Sequence, residues 1–362
     1  MTEEKLISQI PKRKIKSLIK NPAKSAEAVQ LIYVNDCEPG ITREKKGSSF
    51  KYVLKGATLK NEKKLLRISR LVIPPAWKNV WICQQENGHL QVTGIDVRGR
   101  KQYRYHSTWN ALRNHTKFYR LHQFGSVLPD IRLKLKKDII KPGLPLEKVL
   151  ATVVSLMEKT NIRVGNEMYE KLYGSYGITT LKDKHVKVTG NSLKFSFKGK
   201  KGIFHDIDLK SKRLSAIVKK CQDIPGKELF QYYDEEKKRK PIDSGMVNNY
   251  IKEISGGDFT AKDFRTWAGS LQALMAFKDI GYSESLTGSK KKIVEALDKV
   301  SGLLGNTRTV CRKYYVHPLV ISLYETQSLD KYWKQLDELE TDDGVTGLTS
   351  KEKALINILK NN

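Results

Sequence analysis

Along the first third of the chain apolar and polar residues alternate in short runs, whereas beyond it apolar positions recur with the period of a helix. Between residues 26 and 106, LIYV (31–34), FKYVL (50–54), VWIC (80–83) and LQVTGI (90–95) have the length and the β-branched and aromatic content of strands. EPGITR (38–43) and the Ile73-Pro74-Pro75 break read as turns between them. The Asn87-Gly88 pair predicts a hairpin, because that dipeptide accepts the positive backbone angles of tight turns. From residue 147 to 159, Val149, Leu150, Val153, Val154, Leu156 and Met157 line one side of a helix, and similar patterns cover 290–304 and 319–339. One β interruption follows, with alternating segments at 185–189, 192–197 and 203–209. They are joined by Gly190-Asn191 and by Lys198-Gly199-Lys200-Lys201-Gly202, which predicts a three-stranded antiparallel meander. The pattern as a whole is α+β. It divides into an arm (1–25), a small β-rich N-terminal domain (26–107) and a larger, mainly α-helical domain (108–362) that holds the three-stranded sheet.

Composition adds a partner. With 362 residues and 39% hydrophobic content the chain can bury a core, and its 67 Lys and Arg outnumber 39 Asp and Glu to leave a net charge of +28. A polyanion is the expected ligand, and nucleic acid is favoured because cations that displace condensed counterions supply much of its binding free energy. No run of about 18 apolar residues is present to cross a bilayer. Cys37, Cys83, Cys221 and Cys311 are scattered without a CxxC pair, which argues for a reducing compartment and against a zinc site. Residues 1–25 are basic but lack the apolar core of a secretion signal, and read as an arm.

Charge also frames the candidate chemistry. The segment from Gly305 and Asn306 through Arg312, Tyr314 and Tyr315 to Val316-His317-Pro318 sets phenols among cations, just before a proline that restarts a helix. A tyrosine so placed can be a nucleophile, since positive neighbours favour its oxyanion; it can equally pack its ring. Arg163 stands where the first apolar helix gives way to a turn, and Arg265 follows the capping-box pattern Thr260-Ala261-Lys262-Asp263. Each arginine could hold a surface carboxylate or clamp phosphate oxygens. The lysines of the 198–202 turn suit either solvent or a phosphate. Residues 98–106, RGRKQYRYH, interleave cations with aromatics and an amide, which suits phosphates and a base edge.

These residues resemble a family, the bacterial, poxvirus-like branch of type IB DNA topoisomerases. The resemblance runs from about residue 30 to 359 through GITR at 40, IPPAWKNVWIC at 73, GHLQVTGIDVRGRKQYRYH at 88, LP-x-IR at 128, IRVGNE at 162, FKGKKG at 197, KDFRTWAGS at 262 and GNTRTVCRKYYVHP at 305. It implies a clamp around duplex DNA, built from the β-rich domain and a helical catalytic domain. Tyr315 is then the nucleophile, Arg163, Arg265 and Asn306 hold the phosphate, and Lys200 is the acid for the leaving group. The resemblance further implies DNA contacts from Arg100, Lys101, Gln102, Tyr103, Tyr105, His106 and Lys201, no metal or other cofactor, action as a monomer, and residence on the bacterial nucleoid in the cytoplasm. Three positions depart from the pattern: Asn306 falls where many members have histidine, Arg308 where proline is common, and Tyr314 where a small polar residue is more usual. A tyrosine recombinase would use the same nucleophile and arginines, but its usual His-x-x-Arg box would require histidine where Lys262 stands. A non-catalytic basic nucleic-acid-binding protein would explain the charge but not the ordered Arg, Lys, Arg, Asn, Tyr set.

Overall fold

The computed structural model describes residues 18, 21–47, 49–97, 99, 101–338 and 346–361, and contacts divide it into two compact units, up to Tyr119 and from Arg120 onward. Most of the basic arm and Arg100 lie outside the described residues.

The first unit is a six-stranded antiparallel sheet in the order β3-β2-β1-β4-β5-β6, with β1 Ile41–Lys46, β2 Ser49–Leu54, β3 Ala57–Thr58, β4 Lys78–Ile82, β5 Leu90–Ile95 and β6 Lys101–Tyr105. The Asn87-Gly88 segment joins β4 to β5 antiparallel, with Ile82 opposite Val92, but the connection runs from Cys83 to His89, and neither Asn87 nor Gly88 takes the positive φ of a tight turn. Two further expectations shift. The turn expected over 38–43 falls earlier, at Asp36-Cys37, where Glu38 N–H donates to the Asn35 carbonyl at 3.1 Å, and Ile41 starts β1; conversely 31–34 forms a single bridge from Ile32 to Gly88. β5 is buried from Leu90 to Gly94 because both faces of the sheet are covered. Helix Glu62–Arg70, which the strand pattern did not announce, sets Ile68 against Ile41, Val80, Ile82 and Val92. Elsewhere in the unit Trp109 and Leu112 of helix Ser107–Tyr119 pack with Ala26, Val29 and Leu31. Two of the quoted motifs meet inside this unit: Arg43 donates to the carbonyls of Pro74 (3.1 Å) and Trp77 (2.7 Å), with its guanidinium 4.2 Å from the Phe50 ring centre. GITR and IPPAW are therefore an internal tie.

The second unit is mainly helical. Helix Leu146–Thr160 is buried nearly all round, Lys148, Thr152 and Ser155 included, so the one-sided stripe expected from its sequence underestimates its burial. It is the central post. Thr152 and Thr160 satisfy their hydroxyls by donating to carbonyls four residues back, at 2.8 and 2.6 Å. Around it stand helices Leu121–Ile139, Ser244–Ser255 and Ala261–Ile280, and helix Leu286–Leu304 packs on the last of these. The meander forms as β7 Val186–Thr189, β8 Ser192–Lys198 and β9 Phe204–Lys210. The pattern over 319–339 divides into helices Pro318–Glu325 and Asp330–Glu338, since Gln327 adopts φ 52° and Ser328 N–H closes back on the Leu323 carbonyl at 2.7 Å.

A largely buried ionic network braces three of these helices against a further one, Ser350–Asn361. Arg132 donates to Glu158 (2.7 Å) and with two nitrogens to Glu352 (2.7 and 2.9 Å), and Trp267 Nε1 donates to the same Glu352 carboxylate at 3.1 Å. Burial pushes the Glu352 carboxyl up, but Arg132 and the Thr349 and Trp267 donors hold it below the ordinary value. No helix among the described residues is long and apolar enough to cross a membrane.

Candidate active site

The central post ends on Asn161, which takes the left-handed conformation (φ 56°), and its carbonyl accepts from Arg265 Nη1. The chain then runs beside residues 177–179, where Ile178 and Thr179 N–H groups donate to the carbonyls of Arg163 and Val164, both at 2.8 Å. Those bonds hold the backbone of Arg163. Its guanidinium donates to the Gly305 carbonyl at 2.8 Å and to Asn306 Oδ1. Arg265, in the second turn of helix Ala261–Ile280, donates through Nη2 to the Leu304 carbonyl at 2.7 Å. The capping box forms as read from the sequence, with Thr260 N–H donating to Asp263 at 2.8 Å. Both arginines therefore rest on the end of helix Leu286–Leu304, whose last carbonyls lack intrahelical donors and carry the negative end of the helix dipole.

That footing leaves the site short of negative charge. Burial, then the neighbouring Arg265, depresses the Arg163 guanidinium to about 10, and burial likewise lowers Arg265, which is only 5% exposed. Among the described residues neither arginine pairs with a carboxylate, and Arg265 Nε and Asn306 Nδ2 are buried without a hydrogen-bond partner. Buried donors of this kind call for an acceptor. Two cations and two unanswered N–H groups describe a place for an anion.

Tyr315 faces this place. It caps helix Arg308–Tyr314, and the Arg265 guanidinium lies 5.1 Å from its ring centre and in hydrogen-bonding reach of its hydroxyl. Gly269 lets the helix of Arg265 come this near, since a Cβ there would stand 2.6 Å from the Tyr315 carbonyl oxygen. Ser270 ties the contact: its hydroxyl accepts from His317 N–H (2.9 Å) and shares its proton between the Thr266 carbonyl (2.9 Å) and the Tyr315 carbonyl (3.3 Å). The Val-His-Pro element restarts the helix, with Val316 buried, His317 Nδ1 accepting from Leu319 N–H at 3.1 Å, and Pro318 at the first helical position. Tyr314 ends the preceding helix, with the Lys313 ammonium 5.6 Å from its ring centre. Arg308 is also accounted for. It occupies the first turn after the Thr307 cap, a position proline suits, and makes a two-pronged bond to Asp298 at 2.7 and 2.9 Å.

Lys200 is exposed in a single 3-10 turn between β8 and β9, beside Lys201, whose φ is 63°. It opens on a cavity of about 650 Å³ shared with Arg163, Asn166, Tyr169, Tyr173 and Tyr176, and its ammonium lies 5.7 Å from the Tyr169 ring centre. Lys201 is on the same rim. The structure thus gathers Arg163, Arg265, Asn306 and Tyr315 into one centre and sets Lys200 on the cavity that Arg163 also lines. The sequence reading missed the tyrosine wall and His205: Tyr169 and Tyr173 stack at 6.0 Å four residues apart on helix Glu167–Tyr173, a spacing that could have signalled a shared face, whereas His205 meets Gly305 from a distant segment.

In the first unit residues Lys101–Tyr105 of the RGRKQYRYH motif form β6, an edge strand, so alternate side chains face opposite ways. Lys101, Tyr103 and Tyr105 share one side, with the two rings stacked at 6.0 Å and Lys101 5.7 Å from the Tyr103 ring centre. Lys101 also pairs with Asp36 at 2.5 Å. Gln102 donates to Asp96 at 2.9 Å, and His106 Nδ1 accepts from Thr108 N–H at 3.2 Å.

Two family models match this chain. "Bacterial DNA topoisomerase IB, N-terminal domain" covers residues 49–96, and "Eukaryotic DNA topoisomerase I, catalytic core" covers residues 106–342. The chain belongs to the type IB DNA topoisomerases. Among the relatives of this topoisomerase, DNA topoisomerase 1B of Acanthamoeba polyphaga mimivirus is 33% identical over 79% of this chain and 88% of its own length. The vaccinia virus (strain Copenhagen) DNA topoisomerase 1B is 24% identical over 66% and 74%. DNA topoisomerase 1 of Daucus carota shares 30% identity over 34% of this chain and 15% of its own. The match decides between the readings the residues left open: the chain is a topoisomerase, an isomerase acting on DNA, rather than a recombinase or a passive basic protein.

Proposed function

We propose that Tyr315 attacks a DNA phosphodiester, that Arg163, Arg265 and Asn306 hold the nonbridging oxygens, and that Lys200 protonates the leaving oxygen. The supporting observation is the pair of carbonyl-anchored arginines beside Tyr315 with buried N–H groups of Arg265 and Asn306 left unpaired. In the forward step the phenol loses its proton to water as its oxygen bonds phosphorus. The bond from phosphorus to the 5′ oxygen breaks, and that oxygen takes a proton from the Lys200 ammonium. The protein is left joined to the 3′ phosphate, and rotation of the free strand followed by the reverse step relaxes the duplex. Because the link retains the energy of the phosphodiester, no nucleotide is consumed. Donors set in advance on charge that builds in the transition state are worth about 3–4 kcal/mol each.

On this reading the β6 row of Lys101, Tyr103 and Tyr105, with Gln102, His106 and Lys201, contacts the duplex, and a single chain suffices. The test is relaxation of supercoiled plasmid in EDTA without nucleotide, followed by trapping, digestion and mapping of the protein–DNA adduct. The expected result is a 3′ phosphate on Tyr315. An adduct on Tyr314, a 5′ linkage, or relaxation that never passes through an adduct would overturn the assignment.

A further inference from the structure

Between the lysine turn and the helix end that carries the arginines lies one imidazole. His205 stands opposite Phe197 in the β8–β9 ladder and stacks on its ring, with centres 5.0 Å apart and planes 21° from parallel. Its outer edge meets two glycines from different segments. A Cβ on Gly199 would lie 2.6 Å from His205 Cδ2 and 2.7 Å from Nε2, and a Cβ on Gly305 would lie 2.4 Å from Cε1 and 3.0 Å from Nε2. Any other residue at either position would displace the ring.

The two glycines have distinct duties. Gly199 opens the turn of Lys200, accepting from Gly202 N–H at 3.1 Å and donating to the Ile203 carbonyl at 2.7 Å. Gly305 is the left-handed cap (φ 57°) whose carbonyl receives Arg163. The imidazole therefore touches the frame of the acid on one side and the frame of the phosphate clamp on the other. We infer that His205 is a positioning residue, a flat spacer that sets Lys200 relative to Arg163 and Asn306 and so places the leaving-group acid. Its chemistry fits that duty. Burial first, then Arg163 and Arg265, lower its pKa, so the ring adds no further cation to a centre already holding two. Its plane is thin enough for two close glycines, and the Phe197 stack fixes its orientation.

The inference rests on Lys200 as the leaving-group acid, and the experiment separates the two. Single-turnover cleavage is measured for His205→Ala, His205→Gln, Lys200→Ala and the His205→Ala/Lys200→Ala pair. Each is tested on an ordinary duplex and on one whose bridging 5′ oxygen is sulfur, which leaves without a proton. His205→Ala should slow the ordinary substrate on the order of 10–100-fold, the effect of about an ångström of misplacement, and largely spare the sulfur substrate. Gln, whose planar amide reaches the same edge, should restore part of the rate. The double variant should be no slower than Lys200→Ala alone. Multiplying effects in the double variant, or equal slowing of His205→Ala on both substrates, would overturn the positioning role even if Lys200→Ala shows the sulfur rescue. If Lys200→Ala itself slows both substrates equally, the acid reading falls, and the double variant still decides whether His205 places that lysine.

Discussion

The β6 row of the first unit and the arginine–tyrosine centre of the second both carry residues assigned to DNA, yet they are at rest in opposite ways. On β6, Lys101 is paired with Asp36 and Gln102 with Asp96, so contact with DNA must exchange protein partners for nucleic-acid ones. In the catalytic unit Arg163 and Arg265 rest on backbone carbonyls, like charges face each other, and two buried donors are unanswered. Carbonyls orient a guanidinium without neutralising it. A surface that has to grip and release can keep internal partners, whereas a centre that stabilises developing charge gains by having its donors fixed beforehand.

The largest expected effect breaks the catalytic side outright. Tyr315→Phe should lower relaxation on the order of 10⁶-fold, as loss of a nucleophile does, while leaving DNA binding intact. Tyr314→Phe should keep most activity; plasmid relaxation and filter binding check both. If the centre depends on being held rigid, its brace should matter next. Arg132→Ala leaves Glu352 buried and unpaired, and should cost about 3–5 kcal/mol of stability by urea unfolding. The same pair has a pH signature. The folded Glu352 carboxyl sits below its ordinary 4.5, so its contribution is present above that value and fades as pH falls through it. Glu352→Gln should flatten that acid limb.

Arg265→Ala should reduce single-turnover cleavage by about 10²–10³-fold. Lysine should not rescue it, since one ammonium cannot span the Asn161 and Leu304 carbonyls and still meet a phosphate. A mild effect would mean that the carbonyl footing is structural only. The smallest effect sharpens the other side. Asp36→Asn frees Lys101 from its partner, and because a pair whose lysine end is open to solvent is worth about 1 kcal/mol or less, duplex binding should tighten only a few-fold. The slope of log affinity against log salt should steepen by up to about 0.9, one added phosphate contact. Unchanged binding and slope would show that Lys101 does not touch DNA.

Much of this was legible in the chain. Local chemistry announced the β4–β5 hairpin, the 185–209 meander, the Thr260 capping box and the helices ending near Thr160 and Leu304, because each is specified by residues within a few positions. Ordered motifs singled out Tyr315, Arg163, Arg265, Lys200 and Asn306. The strand at 41–46 was hidden by its Pro-Gly neighbour, and the helix at 62–70 by charge, since a segment with one apolar stripe among lysines and arginines reads as solvated until a sheet covers it.

What the sequence by itself determined is the inventory: an α+β chain, a basic surface suited to a polyanion, and a tyrosine with its cations in a fixed order. Only the tertiary structure decided how those cations are held. Leu304 and Gly305 receive side chains from residues 39 and 142 positions away, Glu352 closes on Arg132 across 220, and His205 fits between Gly199 and Gly305. Pattern carries information over a turn of helix or a strand pair. Contacts this distant exist only once packing has brought the segments together, and the unanswered charge of the site is a property of that packing.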